Sequence, residues 1–363
     1  MWSYIVRRLL LIIPTLLGIM TVSFLIVQFA PGGPVERVIA QIQGYDVAAT
    51  ARIDGSGGQA NAGQSSDATS NYASSQGMDP DQIKDLEKTF GFDKPPLERY
   101  LKMLGDYARF DFGVSYFKQI PVATLILQKL PVSISLGLWT TLLIYLISIP
   151  LGIAKAVRDG SRFDAWTSGL IVFAYSIPAF LFAVVLLVVF AGGKYVSWFP
   201  LRGLVSENWR ELSPLAQIKD YVWHLVLPVT AMVIGGFASL TMLTKNSFLD
   251  EINKQYVTTA RAKGLSDSRV LYGHVFRNAM LIVISGFPAA LIGILFTSNL
   301  LIEQIFNLDG LGLLSFEAAV NRDYPILLGA LFIFSLIGLL VSLIRDVTYT
   351  LVDPRIDFER REV

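Results

Sequence analysis

Six stretches of this chain are apolar and hold no Asp, Glu, Lys, Arg or His: Leu9–Phe29, Val132–Ala154, Trp166–Phe190, Leu225–Thr244, Ala279–Ile302 and Ile326–Ile344. A helix needs roughly 20 such residues to cross the hydrocarbon of a bilayer. Each stretch satisfies that length, and a soluble domain has no use for six of them. The chain is 363 residues long, 53% hydrophobic and only 16% charged, and its mean hydropathy is +0.52. These values exclude an ordinary soluble enzyme and predict an all-α, six-helix polytopic membrane protein. A net charge of +1 provides no bulk attraction for nucleic acid. The sequence has no cysteine, so disulfides and thiolate metal sites are excluded.

The first stretch follows Arg7 and Arg8 and resembles a secretion signal in outline. Its apolar run is longer than the roughly 7–15 residues of a signal core, so a retained helix is expected. Orientation follows from the basic residues beside the spans. With the amino terminus inside, the cytoplasmic pieces carry Arg7 and Arg8; Lys155, Arg158 and Arg162; Lys245, Lys254, Arg261, Lys263, Arg269 and Arg277; and Arg345, Arg355, Arg360 and Arg361. Most of the remaining basic residues fall in the long 31–131 segment, and long segments cross largely regardless of charge. Both termini are therefore expected in the cytoplasm. Trp198, Trp209 and Trp223 suit the outer interface, and Trp2 and Trp166 the inner one.

The expected division is 1–30 for the inner end and first span, 31–131 for an outer segment, 132–346 for a transmembrane core, and 347–363 for a tail. Within the outer segment, residues 54–77 hold no Leu, Ile, Val or Phe and read as a flexible linker. That linker contains "GSGGQ" (Gly55–Gln59), one letter from a signature of ATP-binding-cassette ATPases. The match is a product of composition, because no G-x-x-x-x-G-K-[ST] phosphate loop accompanies it. This chain is expected to hydrolyse nothing and to bind no cofactor or metal. His224 and His274 fall on opposite sides of the membrane and cannot share an ion. Downstream of the linker, Tyr100, Leu101, Leu104 and Tyr107 recur at helical spacing and predict one apolar helix face.

The cytoplasmic loop 245–278 holds the most information. Phe248 to Lys263 is built of good helix formers; Gly264 can stop a helix at positive φ; Ser266 can cap the next one. Helix, break and helix make a protruding knob. Read from residues alone, it is either a partner-binding device or a connector with a solvated basic face.

Several segments resemble one family in order along the chain: "RRLLLIIPTLLGIMTVSF", "APGGP", "GFDKPPLERY", "DFGVS", "LPVSISLGL", "YVTTARAKGLS…HVFRNAM", "IEQIFNLDGLGLL…RDYP" and "TLVDPRID". Together they resemble the ATP-binding-cassette importer permeases of the dipeptide/oligopeptide group, and within it the Yej-type peptide permeases. The resemblance implies the type I importer permease fold in a bacterial inner membrane. It also implies a second homologous permease as partner (a heterodimer), a cytoplasmic ATPase that holds ATP and Mg, a periplasmic substrate-binding protein, and a peptide substrate. The loop would then be the coupling helix that sits in a groove of the ATPase. Its contact set would be Tyr256, Ala260, Arg261, Lys263, Gly264, Leu265 and Ser266. The family's Glu position in this loop is Thr258 here, so no role of that Glu carries over; Asp309 stands where relatives often have Pro.

Outer contacts with the binding protein are expected at Asp309, Gly310, Arg322 and Asp323. Tyr175, Ser176, Ser285, Thr297, Ser298 and Asn299 either line the pathway or act as glue between helices. Two alternatives stand beside this reading. A permease of the same family could carry a non-peptide solute. A proton-coupled secondary transporter would need intramembrane relay groups, which the spans lack; Glu303 is the nearest acid.

Overall fold

The computed structural model describes residues 2–29, 33–35, 38, 88, 92–193, 195–296 and 300–352. The linker 54–77 and the tail beyond 352 lie outside them. The described residues are mostly helical, and the chain folds as two compact units: Leu130–Gly312 with the chain ends Met1–Val6 and Ile337–Val363, and Arg7–Lys129 with Leu313–Leu336.

The larger unit is organised around one long helix. The helices are α1 (Trp2–Phe29), α2 (Pro96–Tyr107), α3 (Val122–Val157), α4 (Arg162–Ser176), α5 (Ala179–Phe190) and α6 (Pro214–Ile252). They continue with α7 (Gln255–Ala262), α8 (Asp267–Val270), α9 (Phe276–Phe296), α10 (Leu300–Ile305), α11 (Leu311–Asn321) and α12 (Tyr324–Val352). In the larger unit α6 packs against α4, α5 and α9. Glycines set how near α3 comes to it. A methyl group on Gly152 would stand 2.6 Å from Thr244 Cβ, and one on Gly236 would strike Ile144. Small residues at such crossings let helices associate where lipid removes the hydrophobic drive. Two apolar clusters mark the two ends of α6. Leu136, Ala183, Leu225, Leu227, Ile302 and Phe306 pack at one, and Phe248, Val257, Val270, Val275 and Ala279 at the other.

The third span differs from its expectation. Instead of one helix over Trp166–Phe190, α4 and α5 meet at 91°. Ile177, which precedes Pro178, is extended at φ −89° and ψ 120°, as the proline ring requires of its neighbour. The pair still crosses as one span. At its start, Asp164 Oδ2 accepts from Lys245 Nζ at 2.8 Å. Beyond its end, Trp223 Nε1 donates to the Trp198 carbonyl at 2.9 Å, and Phe199 stacks on Trp223 at 4.4 Å. Lys245 and Trp223 stand about 33 Å apart along α6 at ~1.5 Å per residue, close to the roughly 30 Å of bilayer hydrocarbon. A loop returning to its own side would not touch both points.

Helix ends also depart from the sequence boundaries. α3 begins at Val122 and α6 at Pro214, each well before the apolar runs that start at Val132 and Leu225. The chain ends of the larger unit meet: Tyr4 Oη donates to Asp346 Oδ2 at 2.9 Å. Ile149 of α3, Met280 of α9 and Ile344 of α12 line one hollow of about 400 Å³. The carboxyl ends of α3 and α12 and the start of α9 therefore share one end of this unit.

In the smaller unit, α2 is tied to α1. Thr21 and Tyr100 hydroxyls hydrogen-bond at 2.6 Å, and Arg99 Nη2 donates to Gln28 Oε1 at 2.7 Å. Of the expected apolar face, Tyr107 is buried and packs edge-on to Phe112 at 5.1 Å and Phe332 at 5.5 Å. Leu101 does not join them and is 59% exposed.

Candidate coupling site and outer loops

The loop after α6 is a small folded body whose core is shared with Ile153 and Ala156 of α3 and Met280 and Val283 of α9. The sequence expectation of one helix from Phe248 to Lys263 is corrected by a break at Asn253–Lys254. Lys254 is extended there, at φ −76° and ψ 151°. Glu251 spans the break. It accepts from the Tyr256 hydroxyl at 2.8 Å and pairs with Lys254. Burial pushes the Tyr256 hydroxyl up from its ordinary pKa, and in its neutral form it is the donor to Glu251.

α7 ends as its sequence demands. Gly264 takes φ +82°; its N–H donates to the Arg261 carbonyl at 2.9 Å, and Leu265 N–H to the Ala260 carbonyl at 3.3 Å. These two bonds close a Schellman motif, with Leu265 packed back against the helix. Ser266 occupies the cap position of α8 with its side chain making no capping bond. Arg261 Nε instead meets Asp267 Oδ1 at 3.1 Å across the turn. That pair is exposed on both sides and contributes about 0–1 kcal/mol.

One feature of the loop escaped the sequence reading. Leu271–Val275 forms a π turn between α8 and α9. The wider turn brings residues five apart into line, so Val270 and Val275 both face inward, with exposures of 2% and 1%. Turns of this kind often mark functional positions in helices. No pattern of apolar spacing at 3.6 reveals one.

The seven expected contact residues thus divide. Ala260 is buried, and Tyr256 and Leu265 are half-buried in the knob's core; they hold its shape and present little to a partner. Arg261, Lys263, Gly264 and Ser266 face outward, with Tyr272 beside them at 60% exposure. The rim is basic and its base is apolar.

The outer candidates divide as well. Asp309 is exposed. Gly310 is buried, and a methyl group there would come within 2.6 Å of Glu303 Cδ. Glu303 is itself fully buried at 0% exposure. The glycine is there for close approach to a carboxylate and has no surface to offer a partner. In the smaller unit Arg322 is half-buried at φ +60°. Asp323, 3% exposed, accepts from the Ser115 hydroxyl at 2.5 Å and from Tyr116 N–H at 3.2 Å. Burial first, and the charge of Asp323 next, push the Tyr116 hydroxyl up to about 12. Asp323 is a structural tie to the 113–121 turn, which corrects its reading as an outward contact. Asp309 remains the exposed outer candidate among these four.

Tyr175 and Ser176 are exposed beside the bend, and the Ser176 hydroxyl donates to the Val172 carbonyl at 2.8 Å. Ser285 is 7% exposed and donates to the Ile282 carbonyl of its own helix at 2.8 Å. Thr297, Ser298 and Asn299 lie outside the described residues.

Residues 148–358 match the family described as "Binding-protein-dependent transport system inner membrane component". The chain is 60% identical to the Peptidoglycan transport system permease protein YejB of Agrobacterium fabrum, over 100% of both chains. It is 58% identical to the Inner membrane ABC transporter permease protein YejB of Escherichia coli O157:H7, over 99% of this chain and 100% of that one. It is 34% identical to the Oligopeptide transport system permease protein AppB of Bacillus subtilis, over 99% and 100% respectively.

Proposed function

Because this chain belongs to the family of binding-protein-dependent transport system inner membrane components, and is a non-catalytic ABC permease subunit, we propose that it forms half of a peptide import path driven by a separate ATPase. It works with a cytoplasmic ATPase and a substrate-binding protein. The other half is a second, homologous permease, giving a heterodimer. Both termini and the knob face the cytoplasm. The observation that carries the reading is the knob, folded at the end of α6 on a core it shares with α3 and α9, with Arg261, Lys263 and Ser266 turned outward.

A rigid knob suits a groove in the ATPase, where ATP and Mg would be held by residues of that partner. A small rotation there becomes a tilt of α6 and α9, the helices joined through the knob. The chain contributes two shapes and their coupling, with no bond-making chemistry. Asp309 marks the outer face for the binding protein. A charge-poor pathway would leave selectivity to that protein.

The test is reconstitution of the full complex in vesicles with labelled peptide. Uptake that requires ATP inside and binding protein outside supports the reading, and hydrolysis without uptake sinks it. A second reading is favoured by the name of the Agrobacterium relative: the cargo is a peptidoglycan fragment, recognised through the short peptide it carries. Competition separates the two. Free peptide displaces such a fragment from the binding protein only if the peptide portion is what is recognised. Uptake abolished by an uncoupler with ATP held constant would point to proton coupling instead.

A further inference from the structure

Four charged side chains meet where α3, α4 and α6 come together in the larger unit. Lys155, in the last turn of α3, has a side-chain exposure of 0%. A buried ammonium is tolerated only when its charge and its protons are all answered. Here Lys155 Nζ lies 2.9 Å from Asp164 Oδ1. It also donates to the Asp164 carbonyl at 3.0 Å, Thr167 Oγ1 at 2.9 Å and Ser168 Oγ at 2.7 Å. Every one of these oxygens belongs to the first two turns of α4. The other carboxylate oxygen of Asp164 faces α6, accepting from Lys245 Nζ at 2.8 Å. Lys245 reaches Asp159 Oδ1 at 2.8 Å as well. Two lysines and two aspartates therefore balance, with Asp164 shared between three helices.

The position of this cluster gives it a consequence. Lys245 sits one turn before Phe248, which is 0% exposed in the core of the knob. Ser247 Oγ donates to the Ala279 carbonyl at 2.6 Å, fixing α6 to α9 at the same level. Apolar contacts between helices can slide; a carboxylate gripped from two sides by ammonium groups cannot move from one without losing it. We propose that Asp164 is a positioning residue of the transport cycle, the joint that carries displacement of the knob through Lys245 into α4 and so to the bend at Ile177–Pro178. The proposal rests on the reading that the knob meets the ATPase.

Lys245→Met is the informative variant in the assembled complex. It detaches α6 and leaves no lone buried charge, because Asp164 keeps Lys155 and Asp159 is 53% exposed. Coupling between sites is reciprocal, so occupation of the outer face by the binding protein must alter ATP hydrolysis through the same joint. The expected result is a complex that assembles and keeps its basal hydrolysis. Stimulation by the binding protein, and uptake per ATP, should each fall about tenfold, within the usual range of intersite coupling. The double variant K155M/D164N removes the buried pair together and should show the same loss of stimulation, with Lys245 still on Asp159. Unchanged stimulation in either variant overturns the proposal, as does a proportional loss of basal and stimulated hydrolysis. A wild-type complex that responds to its binding protein and imports no peptide counts against the substrate reading alone, since stimulation still scores the joint.

Discussion

At the scale of residues, two glycines do different work. Gly264 holds φ +82° with open space around it, so an alanine there costs only the left-handed conformation, about 1–2 kcal/mol. Gly310 is pressed onto the Glu303 carboxylate, and an alanine there must displace a buried acid, an overpacking cost of about 1–3 kcal/mol. Gly264→Ala should loosen the knob and reduce the ATPase that co-purifies, with little change in the thermal midpoint of the permease. Gly310→Ala should lower that midpoint and leave ATPase recovery per folded permease intact. The two measurements exchanged, or equal, would refute the assignment. The first glycine was readable because a helix of small and basic residues stops at it. The second was not, because its reason is a side chain seven positions earlier brought beneath it by folding. Asp323 was misread for the same cause: an acid in a loop reads as surface until Ser115, some two hundred positions away in sequence, is found against it.

Elements show the same pattern of success and failure. Long apolar runs identify spans because lipid tolerates little else, and all six were located by that rule. Their continuity was harder to read, since Pro150 and Pro228 lie inside unbroken helices, whereas Pro178 marks a right-angled bend. The difference is the neighbour. α3 and α6 are longer than the bilayer is thick and absorb a proline within a continuous stack, while the residue before Pro178 has left the helix altogether. Removing the ring from Pro178 frees Ile177 to become helical. The arms of the pair are about 22 and 18 Å long at ~1.5 Å per residue, so their outer ends lie about 29 Å apart when bent and about 40 Å when joined. Spin labels replacing Arg162 and Phe190, at those outer ends, should report the longer distance in Pro178→Ala; an unchanged distance would show that packing on α6 sets the bend and the proline merely permits it.

For the whole molecule, the sidedness proposed here can be measured on a chain that has no native cysteine. Single cysteines replacing Ser266 in the knob and Glu207 before α6, both outside apolar spans, should label oppositely. A membrane-impermeant maleimide added to right-side-out vesicles should reach position 207 and leave 266 unmodified until the membrane is opened. Labelling of both, or of 266 alone, would invert the topology and remove the knob from any cytoplasmic partner.

The contact between Tyr4 and Asp346 sets an order on biogenesis. α1 precedes α12 in the chain, and only 6% of its apolar window is buried. The carboxylate that meets its beginning lies 342 positions further along the chain. The Tyr4–Asp346 bond therefore cannot form until α12 has been made, and a chain arrested before α12 lacks it.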